Sequence, residues 1–112
     1  MAKYAVFFRF TSAAVKGLME HPSDRAAVVA RLCESAGGRM ESYYLMFGEW
    51  DGFVVADLPD AQSAAAVSLA VNSTGGFTSL ETRELFESGD LGAILKKASS
   101  LTYTPPGSDW VP

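Results

Sequence analysis

A few residues in this chain could do chemistry at neutral pH, and their settings narrow what that chemistry would be. His21 is the only histidine, next to Pro22 in a loop-like stretch. An imidazole is the natural general base near pH 7, so His21 is a candidate catalytic residue. No partner stands beside it in the sequence, and a solvated loop histidine is the plainer account. Glu49 and Asp51 are two apart, so in extended backbone their carboxylates point the same way. Such a pair could do acid–base work or contact a hard cation, but two oxygen donors are a thin basis for magnesium or calcium. Asp51 with Gly48 also has a turn explanation, since Asp bonds its own nearby backbone and Gly suits tight turns. The alternative is a ligand-facing carboxylate at a cavity mouth. Cys33 is the only cysteine and falls on an apolar helical stripe, where a thiol is usually inert packing. Arg9, Arg83 and the tyrosines Tyr43 and Tyr44 complete the set.

One cysteine excludes an internal disulfide, and one cysteine plus one histidine excludes the usual zinc sites. No phosphate-binding glycine loop and no nucleophile elbow is present, so neither a metal nor a cofactor is expected. The chain has 112 residues and a net charge of −4. It is one domain's length, and its charge argues against a phosphate-tracking surface and hence against nucleic acid. No apolar run reaches the roughly 20 residues that span a bilayer, and none resembles a secretion signal. The expectation is a soluble cytoplasmic protein with no membrane partner.

Apolar spacing and turn residues then give the elements that must position these groups. Lys3 to Phe10 reads as a strand buried on both faces. Thr11 is a plausible cap for a short helix ending before Pro22. A second helix starts near Ser23, presents Val28, Leu32, Cys33 and Ala36 inward and Arg25 and Arg31 outward, and stops at Gly37-Gly38. Arg39–Leu58 reads as a β-hairpin with a turn at Gly48 to Gly52. Asp60 caps an Ala-rich helix to about Val71. Phe77 to Phe86 alternates as a fourth strand. Leu91, Ile94, Leu95 and Ala98 are the apolar stripe of a last helix. Residues 1–100 form the domain, and 101–112 an extended, proline-rich tail. The order β-α-β-β-α-β plus one helix is the ferredoxin-like, split βαβ pattern of the α+β class, with helices on one face of an antiparallel sheet.

An open sheet face should be polar in a monomer. Here Tyr4, Val6, Phe8, Phe10, Tyr44 and Val54 fall on one side, and Ala5, Phe7, Tyr43, Leu45, Phe53 and Val55 still fall on the other. Two sheets packed face to face about a two-fold axis would bury both, so a homodimer or an assembly of dimers is expected. If the strands carry no bulge, Arg9, Glu41, Asp57, Glu81 and Arg83 share the second face with Phe7, Tyr43 and Phe53. These charges are either an ion-pair network that sets dimer register or the polar part of a ligand cavity. The cavity reading takes Arg9, Tyr43, Phe53 and Arg83 as lining, with His21 or Asp51 near the mouth. Two guanidinium groups in an apolar cleft suit a carboxylate or enolate ligand. The tail, with Tyr103 and Trp110, is expected to lie across a neighbouring subunit.

The segments Lys3-Tyr4-Ala5-Val6-Phe7-Phe8-Arg9-Phe10-Thr11, Gly37-Gly38-Arg39-Met40-Glu41-Ser42-Tyr43-Tyr44 and Gly48-Glu49-Trp50-Asp51 resemble the GYD-domain family, roughly over Lys3 to Lys97. Trp50 stands where that family commonly has Tyr, so an aromatic ring survives there but a hydroxyl does not. The resemblance implies a dimeric α+β barrel and no particular activity. Two functions follow as expectations. One is an uncharacterised small oligomeric barrel that binds an apolar or aromatic acidic ligand or serves as an assembly module. The other is a cofactor-independent enzyme of the monooxygenase, isomerase or dehydratase kind found on such barrels, an analogy of scaffold alone.

Overall fold

The structure is a computed structural model that describes residues 1–108. Strands β1 (Ala2–Phe10), β2 (Arg39–Leu45), β3 (Gly52–Leu58) and β4 (Phe77–Leu85) form one sheet in the order β2-β3-β1-β4. Every neighbouring pair is antiparallel. Helices α1 (Ser12–Glu20), α2 (Arg25–Ser35) and α3 (Ala61–Asn72) connect the strands, and α4 (Leu91–Ser99) follows a short 3-10 turn at Ser88–Asp90. The architecture is α+β.

Each of the first three helices begins where a side chain takes over a free backbone donor. Thr11 Oγ1 accepts from the Ala14 N–H at 3.1 Å, Asp24 Oδ1 from Ala27 at 3.1 Å, and Asp60 Oδ1 from Ser63 at 2.8 Å. Asp24 is therefore the cap of α2. Helix α2 ends at Gly37, whose φ of +85° is a left-handed conformation that few side chains tolerate. Gly38 sits so close to β3 that a Cβ there would meet the Asp57 carbonyl oxygen at 2.1 Å.

The core lies between one sheet face and helices α2 and α3. Phe8, Cys33, Val54 and Ala56 are buried there, with Phe10, Val29, Met40, Tyr43, Phe77 and Leu80 packed around them. A second cluster joins Tyr4, Leu58 and Ala64. The even-numbered residues of β1 and β3 thus face the helices, and the odd-numbered ones face outward.

Helix α4 forms over the predicted stripe. Its apolar stripe does not add to the core: Leu91, Ile94 and Leu95 are all exposed. The helix leaves the body beyond the end of β4, and the molecule measures 66 × 32 × 23 Å. Its radius of gyration is 18.7 Å, against about 13 Å for a compact chain of this length. The apolar stripe of α4 stays outside this core. The tail hypothesis centred on Trp110 falls outside the described residues.

Candidate functional site: the open face of the sheet

Outward-facing residues on neighbouring strands build a row of aromatic rings. Phe7 on the central strand β1 stacks on Phe53 of β3, with ring centroids 5.6 Å apart and planes 28° apart. Phe53 stacks in turn on Tyr44 of β2 at 5.5 Å. Trp50 from the β2–β3 turn also tilts against Phe7 at 5.9 Å. Arg83 of β4 holds its guanidinium carbon 5.9 Å from the centre of the Phe7 ring, a cation–π placement. Its Nη2 also donates to Glu81 at 2.8 Å. The register explains the row: Phe7 pairs with Phe53, and Phe53 with Tyr44, so their side chains project from adjacent strands on one face.

A charged cluster borders this row at the Lys3 end. Lys3 meets Glu41 and lies 3.5 Å from Asp57, which Arg39 approaches at 3.3 Å from the edge strand. Hydrogen bonding to Glu41, reinforced by the charge of Asp57, holds the Lys3 ammonium above its ordinary range. Pairs this open to water contribute little stability. Their value is positional, a fixed pattern of charge beside an apolar strip.

Arg9, Phe53 and Arg83 stand on this face, as the alternation predicts, but Tyr43 does not. The β2–β3 register slips between Met40 and Ser42, so Glu41 is an extra residue in β2. A bulge of one residue reverses the parity of everything after it. Tyr43 therefore pairs with Val54 and turns under the helices, its ring 5.6 Å from Phe8, while Tyr44 takes the outward position. Arg9 is at the far end, paired with Ser79, in an open depression shared with Asp51 and Thr78. Tyr44 and Trp50 are the members of the row that residue spacing missed. The imperfect alternation from Arg39 to Tyr44 was the available signal for the first of them.

Asp51 takes a backbone role. Its Oδ2 accepts from the Phe10 N–H at 2.8 Å, its own N–H donates to the Phe8 carbonyl at 2.9 Å, and its carbonyl accepts from Met46 at 2.9 Å. It fastens the hairpin turn onto the end of β1, which is what holds Trp50 over Phe7. Glu49 is exposed on the same turn. His21 lies elsewhere, exposed at the end of α1 in a depression with Leu18, Ser23 and Thr74. The structure does not bring it to Asp51 or to the aromatic row.

The covered face has a small opening of its own. Between α2, α3 and the sheet runs an apolar cleft with about 60 Å³ of free space, lined by Val29, Leu32, Val67, Val71 and Phe77. Arg25 reaches its wall instead of pointing away, and Tyr43 stands near it. Burial pushes the Tyr43 hydroxyl up, and the Arg25 charge partly offsets this. Burial likewise pushes the Cys33 thiol up, which suits packing rather than nucleophilic attack. Among the described residues no group of three or more His, Cys, Asp or Glu is placed to hold a metal ion. No helix among them is long and apolar enough to cross a membrane.

The profile of the GYD domain matches residues 4–95, most of the chain and all the elements just described up to α4. The chain belongs to the GYD-domain family. No curated protein matches it. Among solved structures, the crystal structure of FFRP-DM1 is similar, with a TM-score of 0.52 over 77% of this chain and 100% of that one. Identity is 11%, so the likeness concerns the fold alone. Within this family member, the motif turn Gly48-Glu49-Trp50-Asp51 has a concrete job. Asp51 ties the turn to β1, and the aromatic at position 50 extends the row on the open face.

Proposed function

We propose that this GYD-domain protein is a homo-oligomeric assembly module, a ferredoxin-like fold whose sheets pack open face to open face into a dimeric α+β barrel. The observation that carries the reading is the row Trp50, Phe7, Phe53 and Tyr44, spread over the hairpin turn and three neighbouring strands on the sheet face opposite the core. Aromatic rings are the usual anchors of protein interfaces. The fixed charges around Lys3, Glu41 and Asp57 supply a pattern that would set the register of the two copies. Where the two faces leave a gap, Phe53 with Arg83, and Arg9 at the far end, suit a small apolar or aromatic acid, because a guanidinium matches a carboxylate. Binding and assembly are favoured over catalysis here, since Asp51 is engaged by backbone and His21 stands apart. A single buried free thiol fits a cytoplasmic setting.

The test is Phe7→Glu. It places a charge in the middle of the row, so the variant should self-associate at least several-fold more weakly than the wild type, which sediments at no less than twice 12.0 kDa. Unchanged association strength in the folded variant would refute the reading. For the ligand, a panel of aromatic acids should raise the melting temperature of the wild type and not of Arg83→Met. Equal shifts would remove Arg83 from the site.

A further inference from the structure

We propose that α4 is an exchange arm, which docks its apolar stripe on the β2–β3 hairpin tip of a second copy of this chain. The arm and the tip each expose a group of large apolar side chains. On the arm, Leu91, Ile94 and Leu95 are exposed along one side of α4, and Leu101 and Tyr103 continue beyond it at 68% and 76% exposure. On the tip, Leu45 is 69% exposed and Phe47 is as exposed as in an extended chain. Neither surface lies on the aromatic row, so the docking stands apart from the sheet-face reading.

Geometry favours a second copy over the arm's own body. The arm leaves β4 at Leu85, which pairs with Lys3 at the start of β1. The hairpin turn is fastened near the other end of β1, through Asp51 and Phe8. Strands β4 and β2 are also the opposite edges of the sheet. Root and tip are therefore diagonal corners, about 17 Å apart along the strands and about 14 Å across them. The arm points off the body, which stretches the molecule to 66 Å. A reciprocal pairing of two copies sets the arm of each beside the tip of the other, the isologous arrangement of a two-fold axis.

Charge and area agree with that occupant. Lys96 and Lys97 close α4 and have no ion-pair partner among the described residues, and Glu49, equally unpaired, stands in the hairpin turn. The chain's net charge of −4 leaves the two lysines as a basic spot on an acidic protein. Complete burial of the exposed arm and tip side chains in both copies sets a ceiling on the order of 2,000 Å², which lies within the range of stable interfaces.

Cross-linking tests this with single-cysteine reporters. Phe47→Cys and Leu95→Cys alter exposed side chains, so both variants should fold, and Cys33 is buried and stays silent. A short bis-maleimide added to an equimolar mixture of the two should give several-fold more covalent dimer, at twice 12.0 kDa, than either variant alone. No excess in the mixture would overturn the proposal. So would a Phe47→Cys/Leu95→Cys double variant that links within one chain at high dilution. In parallel, Ile94→Asp/Leu95→Asp should weaken self-association at least several-fold while keeping native circular dichroism; unchanged association would also overturn it. Phe7→Glu probes the sheet faces, so the failure of either idea is visible separately.

Discussion

Replacing Asp51 by alanine separates a structural from a ligand-binding role for the family's motif aspartate. In the structure its carboxylate accepts the Phe10 N–H at 2.8 Å in a half-buried position. A hydrogen bond to a charged group contributes about 1.5–3 kcal/mol, and partial exposure places this one near the lower end, about 1.5–2 kcal/mol. The two backbone bonds of residue 51, to Phe8 and Met46, do not depend on its side chain and survive the change. With an unfolding entropy of about 2.1 cal/mol/K per residue, the loss corresponds to a fall in melting temperature of roughly 6–9 °C for a chain of this length. Asp51→Asn keeps an acceptor oxygen without the charge and should lose about half as much. Calorimetry on the three proteins measures this directly. A solvent- or ligand-facing side chain would give a change within about 0.5 kcal/mol, and that result for Asp51→Ala would refute the fastening role.

Gly38→Ala should destabilise by about 2–3 kcal/mol or prevent folding, read as a lower urea midpoint at unchanged slope, because the added methyl meets the β3 backbone and cannot be relieved by a side-chain movement. Asp60 is held below its ordinary value of 3.8, first by the Ser63 backbone N–H and then by the Ser63 side chain. Its contribution is therefore present above pH 3.8 and is lost as pH falls through the lowered value, so Asp60→Ala should flatten the acid limb of a stability–pH curve measured by denaturant titration. An acid limb identical to wild type would remove Asp60 from the account.

The elements were legible because local physics specifies them. Thr11 and Asp60 cap the helices they were expected to cap, Gly37 ends α2, and the four strands lie where alternation and turn residues place them. What was hidden came from interactions outside the local window. The bulge at Glu41 depends on how β2 pairs with β3, and it moves Tyr43 and Tyr44 to opposite faces from those strict alternation assigns. Arg25 was expected to point outward, yet it reaches the apolar cleft because its long aliphatic stem can lie along α2 while the charge stays at the rim. The stripe of α4 is a true amphipathic signal, but periodicity does not report whether such a face joins the chain's own core, and here it does not. Asp51 had two readings in sequence, and only the position of the Phe10 N–H separates them.

If the aromatic row is an interface between copies of this chain, the protein is not monomeric in solution. Light scattering of the wild-type protein at low micromolar concentration tests it most directly. The expected mass is at least twice 12.0 kDa. A single monodisperse species at 12.0 kDa would contradict it.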